Sequence, residues 1–526
     1  MIRLPLALPV LVALTLLSAL LAGRPGEPAA ATSHIISEVY IPNAAFPLAL
    51  DFAPDGRLFY TEHCTGNVRI VTAQGQLLAT EFAHVDSPAC GDWGLTGMAI
   101  DPDFENTHYV FVHYMELVTA NPLIARPVVK RFTEVNNIGT NPTVILSGPP
   151  TLAYNLPYHA ADEIHFGPDG YLYVSLGDQH EEEQSVSQDL SVLEGKILRL
   201  NKEDGSAPPD NPFVGTQGAD ARIFAYGLRN AFGFTFDDQT GTIFLTENGP
   251  ERCDELNIVQ AGANYGWPLP YESVSTCAVA TGEQPIYWYT LAIGDDPWMP
   301  GRTGAPVGID YVEGDVYPSL GDSILTCLWR TGEMRHMQLS PAHDQVTSED
   351  TIASGCYLDV EVGPDGAIYY TDSGNIRRLW VDSDGDGVKD GIDNCPALAG
   401  ADQTNTDADL AAAGAYLLDG PLPADSQGDI CDDDDDSDRF DDDVEQAIGT
   451  NPLDNCPGAP GTGGDSWPLD NTGNGIANVT DVYAYKGLIP NVVDDAHPKR
   501  LDLTNNDILN VSDIYEYKGN IPKVCG

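Results

Sequence analysis

The 526-residue sequence has few basic residues: 25 lysines and arginines stand against 79 aspartates and glutamates, giving a formal net charge of −54. A polyanion of this kind repels nucleic acids and anionic membrane surfaces, so we expect neither as a partner. The chain also has no CxxC pair, which argues against a zinc ribbon or a thioredoxin-type redox site. No Ser/His or metal-hydrolase motif stands out, so a hydrolytic protein is disfavoured.

Long apolar runs are also scarce: the sequence contains only one. It extends from Leu4 to Ala22, follows Arg3, and precedes a Gly- and Pro-containing stretch and three alanines. This pattern predicts a secretory signal peptide at residues 1–31, with a retained membrane anchor as the alternative. We therefore expect a secreted, extracellular or cell-surface protein with no membrane insertion after signal cleavage.

The ten cysteines are an even number, which fits an exported protein with up to five disulfides. The sequence does not prove their connectivity. Local pairing predicts Cys64–Cys90, Cys253–Cys277, Cys327–Cys356, Cys395–Cys431 and Cys456–Cys525.

One stretch combines a hairpin pattern with candidate catalytic groups. In HAADEIHFGPDGYLYVSLGDQ, from His159 to Gln179, two alternating apolar runs flank a GPDG turn. His159 precedes the first run and Asp178 follows the second, so a hairpin would bring imidazole and carboxylate together. An imidazole oriented by a carboxylate is a usable general base. The alternative is a structural histidine at a strand end.

The same turn pattern recurs along the chain and predicts the fold. Each copy is a period-2 run, a Pro/Asp/Gly turn and a β-branched or aromatic run. Five such hairpins, with room for another in 282–339 and no convincing amphipathic helix between them, favour an all-β, six-bladed β-propeller at residues 33–380. A pair of β-sandwiches is the weaker alternative. The copies lie at Asp51–Glu62, Met98–Tyr114, His165–Asp178, Phe234–Gly249 and Glu361–Asp372.

Composition changes at Asp382, where a strongly acidic segment begins. DSDGDGVKDGID has acids at positions 1, 3, 5, 9 and 12 of a twelve-residue loop and Gly at position 6, which is the pattern of a calcium loop. With DNCP, GDICDDD and GTNP, residues 381–457 resemble thrombospondin type 3 repeats; a polyacidic disordered linker is the alternative. The predicted calcium ligands are Asp382, Asp384, Asp386, Asp390 and Asp393, and, in a second loop, Asp434, Asp436, Asp438, Asp442 and Glu445.

The last segment, residues 465–526, contains an internal duplication with a period of 32. Each copy has oxygen side chains at calcium-loop spacing, followed by a helix start, and is similar to a dockerin. That resemblance implies a small helical calcium module and a possible cohesin-like protein partner; a plain calcium-stiffened module is the alternative. The matching candidate ligands are Asp470, Thr472, Asn474 and Asp481 in one copy and Asp502, Thr504, Asn506 and Asp513 in the other.

Five blocks in the propeller region resemble the soluble pyrroloquinoline quinone (PQQ)-dependent glucose/sorbosone dehydrogenase family. They are GLTGMAIDPDF, the His159 hairpin, GKILRLNKEDGSAPPDNPF, AYGLRNAFGFTFD and TENGPERCDELNIVQAGANYGWP. The resemblance implies a six-bladed propeller that oxidises aldose sugars, with a His removing the anomeric hydroxyl proton while hydride moves to the quinone. It assigns the base to His159 and its orienting carboxylate to Asp178. A sugar substrate or glycan is the expected small-molecule partner.

The resemblance also implies cofactor and calcium positions. Arg229 and Asn230, in GLRN, match the pair that contacts PQQ, although they could equally serve inter-blade packing. Asp92 stands where the family has Gln, and Arg330 lies near the position of its cofactor-contacting Lys. Gly249 and Pro250 match backbone carbonyls that ligate a calcium ion beside the quinone; a plain turn is the alternative there.

Two positions depart from the family pattern in a way that matters for the cofactor. The arginines that hold quinone carboxylates in the family fall at Cys356 and Leu358. Arg302, Arg377 and Arg378 are candidates to replace them from nearby loops. Wider family members that lack these arginines, such as the hedgehog-interacting proteins, act as binding scaffolds, so a noncatalytic carbohydrate- or protein-binding propeller is the alternative function.

Overall fold

The computed structural model describes most of residues 34–453 and a few short pieces beyond. The predicted signal peptide and most of the predicted dockerin-like module lie outside the described residues. The gaps within 34–453 are 88–90, 92, 153–158, 180–185, 238, 250–252, 269–276, 278–281, 290–303, 315, 414–415, 418–419, 422–423, 438–439 and 449. The pieces beyond are 476–477, 482, 491–492, 508–509 and 523–524.

Six antiparallel sheets follow one another along the chain, which confirms the predicted six-bladed β-propeller. The described residues begin with β1 (His34–Pro42), which is followed by the first three sheets. The first contains β2 (Pro47–Phe52), β3 (Leu58–Glu62), β4 (Asn67–Val71) and β5 (Ala83–His84). The second contains β6 (Leu95–Ile100), β7 (Tyr109–Ala120), β8 (Leu123–Val135), β9 (Ile138–Ser147) and β10 (Thr151–Leu152). The third contains β11 (Ala161–Phe166), β12 (Leu172–Leu176), β13 (Lys196–Leu200) and β14 (Ile223–Tyr226).

The remaining three sheets complete the ring. The fourth contains β15 (Ala231–Asp237), β16 (Thr242–Glu247), β17 (Asp254–Val259) and β18 (Tyr287–Tyr289). The fifth contains β19 (Pro306–Val312), β20 (Ser323–Leu328), β21 (Glu333–Leu339) and β22 (Val346–Ser354), so the expected further hairpin in 282–339 is present. The sixth contains β23 (Val360–Val362), β24 (Ile368–Thr371) and β25 (Asn375–Asp382), together with β1.

The first strand of the propeller pairs with the last. β1 runs antiparallel to β25, with His34 opposite Asp382 at one end and Pro42 opposite Asn375 at the other. A ring of blades closed in this way leaves only short strand edges, which limits edge-to-edge association.

The repeated PDG turns form as the sequence predicts. Gly56, Gly170 and Gly366 adopt φ values of +81°, +76° and +68°, a region that a side chain with a Cβ enters only at a cost. The Gly170 N–H donates to the Gly167 carbonyl at 2.8 Å, which closes the turn between β11 and β12. Glycine at the end of each PDG turn is therefore needed to return the chain into the blade.

Buried carboxylates join neighbouring blades near the propeller axis. An Asp51 carboxylate oxygen accepts the Ile100 N–H of the second blade at 2.6 Å, and Asp359 of the sixth blade accepts the Leu50 N–H of the first at 2.7 Å. Desolvation raises the pKa of Asp51 to about 7 and that of Asp359 to about 8. These acids therefore connect one blade to the next through backbone hydrogen bonds.

The hydrophobic cores lie between blades rather than within them. Phe59 and Val68 of the first blade belong to the same buried cluster as Val112 and Val128 of the second. Leu198 and Leu200 of the third blade join a cluster with Phe111 of the second. Burial of such side chains stabilises each blade by roughly 1.5–3 kcal/mol per large residue, so no blade is a stable unit alone.

Helices are short in the described part of the chain. They are α1 (Phe104–Thr107), α2 (Thr406–Ala412) and α3 (Asp442–Ile448), with 3₁₀ turns at Val186–Gln188 and Asp390–Ile392. Among the described residues, no helix has the length and apolarity that crossing a bilayer requires. The short strands beyond the propeller pair as Tyr416–Leu417 with Gly420–Pro421, Ile476–Ala477 with Lys523–Val524, and Asn491–Val492 with Ile508–Leu509.

Three of the predicted disulfides are present. They are Cys253–Cys277, Cys327–Cys356 and Cys395–Cys431. Cys64 is also disulfide-bonded. Cys90, Cys456 and Cys525 lie outside the described residues, so the two pairs that include them stay predictions.

Candidate active site

A cavity of about 610 Å³ opens on one face of the propeller, where the loops between blades meet. It brings together residues that are far apart in sequence but share a predicted role in cofactor or substrate binding. The predicted residues that line it are His159, Arg229, Asn230, Gly249 and Arg330. Asp92 and Pro250 lie outside the described residues.

His159 and Asp178 form the predicted pair. The His159 Nδ1 and Asp178 Oδ1 atoms are 2.7 Å apart, and both side chains are buried. The indole N–H of Trp267 donates to the second carboxylate oxygen of Asp178 at 2.8 Å. Trp267 is buried, and it holds the carboxylate that orients His159. An ionised carboxylate only accepts hydrogen bonds, so Nδ1 carries the proton and Nε2 is the basic nitrogen.

The hairpin places this pair through a close approach of its two ends. His159 has a φ of +50°, and its carbonyl accepts the Gln179 N–H at 2.9 Å. A Cβ on Gly177 would lie 2.5 Å from the His159 carbonyl oxygen, so only glycine fits there. The Asp178 N–H donates to the Arg229 carbonyl at 2.7 Å, which ties the pair to the next blade.

Arg229 is fixed on the cavity wall by its neighbours. Its Nη1 donates to the Asn248 carbonyl at 2.8 Å, and its backbone N–H donates to Glu247 at 2.5 Å. Its guanidinium carbon lies 5.4 Å from the centroid of the Trp267 ring, in cation–π contact. Burial and the facing carboxyl of Glu255 hold the pKa of Glu247 well above its usual range. Arg229 therefore adds positive charge to the cavity wall at a fixed position.

Asp254 supports the turn at Gly249 and was missed by sequence reasoning. Its carboxylate accepts the Gly249 N–H at 2.9 Å and the Ala305 N–H at 2.8 Å, and it also lines the cavity. The signal in the sequence was the acid five residues after Gly249, in the CDELN block. The arrangement fixes the backbone of Gly249 against the cavity.

Another part of the cavity lining is aromatic and apolar. Phe46, Trp329 and Leu358 line it beside Arg330, and Cys356 is buried in its disulfide. His63 also lines the cavity, where its Nε2 lies 2.6 Å from the Gly91 carbonyl oxygen; sequence reasoning gave no signal for it.

The candidate replacement arginines are engaged elsewhere. Arg377 bonds Asp372 at 3.0 Å, and Arg378 bonds Glu38 at 3.0 Å and 2.5 Å on the β1–β25 surface. The expectation that one of them supplies charge to the cavity is therefore wrong for both. Their strand, β25, lies between β24 and the edge strand β1 in the sixth blade, where Asp372 and Glu38 pair with them. Arg302 lies outside the described residues.

The propeller matches a known family over nearly its whole length. A family model described as Glucose / Sorbosone dehydrogenase matches residues 44–380. The chain belongs to this family.

This member of the glucose/sorbosone dehydrogenase family is similar to several known proteins, among them two sequence relatives and one protein of solved structure. An aldose sugar dehydrogenase of Escherichia coli K12 is 28% identical over 366 residues, which are 67% of this chain and 94% of that protein. Quinoprotein glucose dehydrogenase B of Acinetobacter calcoaceticus is 30% identical over 263 residues, which are 45% of this chain and 53% of that protein. The solved apo-form structure of a soluble aldose sugar dehydrogenase from Escherichia coli has 26% identity and a TM-score of 0.57, covering 66% of this chain and 99% of that one.

The cavity of this glucose/sorbosone dehydrogenase family member fits a planar polyanion such as PQQ. Arg229 and Arg330 supply positive charge to its wall. The amide oxygens of Asn230 and Asn248 are buried at the cavity and have no hydrogen-bond partner in the part of the chain that the structure describes. Because an amide oxygen only accepts hydrogen bonds, these two oxygens are suited to the hydroxyl or N–H donors of a bound ligand, whereas the arginines are suited to its carboxylates.

Beyond the propeller, three acids of the predicted first calcium loop converge. One carboxylate oxygen from each of Asp382, Asp384 and Asp386 lies within 4.8 Å of the others. The second oxygen of Asp384 is buried without a hydrogen-bond partner among the described residues, and burial next to these acids raises the pKa of Asp384. A cation that binds oxygen ligands fits this loop, because it would neutralise carboxylates that otherwise repel each other.

The other predicted ligands of that loop point elsewhere. Asp390 accepts hydrogen bonds from the backbone and hydroxyl of Ser383, and Asp393 accepts the Cys395 N–H at 2.9 Å. Neither belongs to the converging group of acids. Their assignment as direct ligands stays a prediction, since carboxylates at these loop positions can act through water.

In the second half of the acidic segment the structure brings together a different set. Oxygens of Asp407, Asp425 and Asp432 lie within 4.8 Å of one another. Sequence reasoning missed this set because its members are up to 25 residues apart, and only Asp432 lies near the predicted loop.

Of the predicted ligands of the second loop, Asp436 and Glu445 are fully buried, and Asp442 accepts the Asp435 N–H at 3.1 Å. Asp434 lies in the turn whose carbonyl accepts the Ser437 N–H at 2.9 Å.

The remaining predicted calcium ligands lie outside the described residues, and their assignment stays a prediction. They are Asp438, Asp470, Thr472, Asn474, Asp481, Asp502, Thr504, Asn506 and Asp513.

Proposed function

We propose that this protein is a secreted quinoprotein oxidoreductase that oxidises aldose-type sugars, with PQQ as the hydride acceptor and calcium as a second cofactor. The observation that carries the proposal is the buried His159–Asp178 pair, with its 2.7 Å contact, at the wall of a cavity that also contains Arg229 and Arg330. Membership of the glucose/sorbosone dehydrogenase family supports the same function.

In this proposal each residue has a defined task. Asp178 accepts a hydrogen bond from Nδ1–H of His159 and leaves Nε2 of His159 basic. His159 therefore takes the proton from the anomeric hydroxyl of the sugar. The C1 hydrogen leaves with its electron pair, the C1–O bond becomes a carbonyl, and the product is a lactone. PQQ, when bound, supplies the two-electron acceptor for that hydride. Asp92, Arg229, Asn230 and Arg330 would hold and orient PQQ.

Calcium would be held by the backbone at Gly249 and Pro250. Asp254 supports this assignment, because its carboxylate accepts the Gly249 N–H at 2.9 Å and so fixes the Gly249 backbone. A divalent cation beside the quinone would polarise its reacting carbonyl, as metal ions do for other carbonyls. The acidic segment after the propeller and the duplicated C-terminal module would bind further calcium and attach the protein to the cell surface or to a cohesin-like partner.

A second function is favoured by one specific observation. Cys356 is buried in a disulfide and Leu358 is apolar, so two positions that grip the quinone in the family carry no charge. PQQ is a tricarboxylate, and each charge-assisted hydrogen bond contributes roughly 1.5–3 kcal/mol. The alternative is therefore a noncatalytic propeller that binds carbohydrate or protein.

The two functions are separated by reconstitution. The purified protein is titrated with PQQ in the presence of calcium and then assayed for dye reduction with a panel of aldoses. We expect saturable quinone binding and sugar-dependent reduction, and His159→Ala should abolish turnover while leaving quinone affinity nearly intact. Absence of quinone binding at tens of micromolar would exclude the enzyme and favour the binding propeller.

A further inference from the structure

We propose that Trp329 is the stacking platform for the planar cofactor in the cavity, and that ring contact there takes the place of the charge pairing absent at Cys356 and Leu358. This inference rests on the proposed function, because it concerns how the same cavity holds PQQ.

The first argument is the exposure of Trp329. Its side chain is 45% exposed, although it directly follows β20, whose six residues are all buried. Trp329 lines the cavity together with its neighbour Arg330. Leaving an indole in water costs the free energy that its burial would release, so this position keeps a large apolar ring where a ligand would cover it.

The second argument is that the indole is held in place before any ligand arrives. The backbone N–H of Trp329 donates to the Ala305 carbonyl at 2.9 Å, which fixes the backbone that carries the indole. The Tyr357 ring meets the indole edge-on, at 6.2 Å between centroids and an angle of 78°. The centroid of the Phe46 ring lies 6.2 Å from that of the indole, and the Phe46 ring packs against His63 with 5.5 Å between centroids. An aromatic side chain fixed in this way loses little entropy when a flat ligand stacks on it.

The third argument is the chemistry of the surrounding wall. Leu358 adds apolar surface, and the buried Cys327–Cys356 disulfide offers no charge. The positive charges of the lining are Arg330, which directly follows Trp329 in the chain, and Arg229, from the segment between β14 and β15. A wall of this composition favours the flat face of an aromatic ligand, while the arginines meet its carboxylates. The two kinds of contact differ in salt dependence, since ion pairing is screened and stacking is not.

The test compares three variants at Trp329 by quinone binding rather than by activity. Trp329→Phe keeps a flat ring, Trp329→Leu keeps apolar bulk without one, and Trp329→Ala removes both. The dissociation constant for PQQ is measured with calcium present, by ultrafiltration and absorbance of the free quinone, at two salt concentrations. Thermal unfolding checks that each variant folds.

We expect Trp329→Leu and Trp329→Ala to lose about 10- to 100-fold in quinone affinity, as for removal of an aromatic that stacks a nucleobase, and Trp329→Phe to stay close to wild type. The loss should be the same at both salt concentrations, whereas the matched control Arg330→Ala should lose affinity in a salt-dependent way. Quinone affinities of all three Trp329 variants within threefold of wild type would overturn the inference. Absence of quinone binding by the wild type would instead refute the proposed function, and with it this inference.

Discussion

Asp178→Asn tests the candidate base more sharply than removal of the histidine does. The substitution keeps the shape of the side chain. It also keeps an acceptor for the Trp267 indole N–H, which in the wild type donates to the Asp178 carboxylate at 2.8 Å. It replaces the oxygen that lies 2.7 Å from His159 Nδ1 by an NH₂ group or by a neutral acceptor. An amide NH₂ in that place favours the tautomer with the proton on Nε2, which has no lone pair to accept the hydroxyl proton.

The expected effect is a fall in kcat of about 10²- to 10⁴-fold, since general-base catalysis contributes about that much and the same change in a serine-protease triad lowers kcat about 10⁴-fold. The pair is fully buried on the Asp178 side, so solvent does not compensate. The assay is dye reduction with saturating aldose, with quinone affinity measured in parallel. Trp267→Phe is the matched control: it removes the other hydrogen bond to Asp178 and should cost only about tenfold. A kcat for Asp178→Asn within threefold of wild type, with the quinone bound, would refute the role of the pair.

Three further predictions concern stability and calcium. Burial raises the pKa of Asp359 from 3.8 to about 8. The stabilisation that protonated Asp359 provides is therefore fully present below pH 3.8 and is lost as the pH rises through about 8. Between these two values the free energy of unfolding should fall by up to about 1.4 kcal/mol per pH unit. Asp359→Asn should flatten this pH profile in thermal unfolding, and a slope parallel to wild type would contradict the assignment. Gly177→Ala, whose Cβ would lie 2.5 Å from the His159 carbonyl oxygen, should destabilise the protein by about 1–3 kcal/mol and lower kcat; unchanged denaturation and turnover would show that the hairpin ends are less tightly fixed than described. Chelation of calcium should make the segment after Asp382 sensitive to protease while the blades resist it, and Asp384→Ala should do the same without chelator; identical digestion in all conditions would exclude a calcium-dependent fold there.

The fold was predictable from sequence because its signals are local and repeated. The blades contain short period-2 patterns, and the PDG turns of three of them end in a Gly that adopts a positive φ: Gly56, Gly170 and Gly366 all do so as expected. The inter-blade contacts were not predictable in the same way. Asp359 reads as one more acid in an acidic chain, yet it is buried and accepts the Leu50 N–H of a blade more than 300 residues away. Nothing local in the sequence records such a partner.

The candidate site shows the same division. His159 and Asp178 were found because both flank one hairpin, so local geometry brings them together. Trp267 and Asp254 were missed as site residues, because their contacts with the hairpin and with Gly249 depend on the packing of separate blades and loops. In the acidic segment, the regular loop predicted Asp382 and its neighbours, whereas the set around Asp407 forms only after distant segments fold against each other.

The pairing of β1 with β25 also determines when the propeller can finish folding. β1 is among the first structured parts of the chain to be synthesised, whereas its partner β25 is made only after all the other blades. Until then β1 has no strand partner, and because the contacts that close the ring are far apart in sequence, we expect them to form late. Asp382, which lies opposite His34 at the end of β25, is also the first acid of the converging calcium-loop group. The strand that closes the ring therefore also supplies a candidate cation ligand, so we expect ring closure and cation binding at this loop to favour each other.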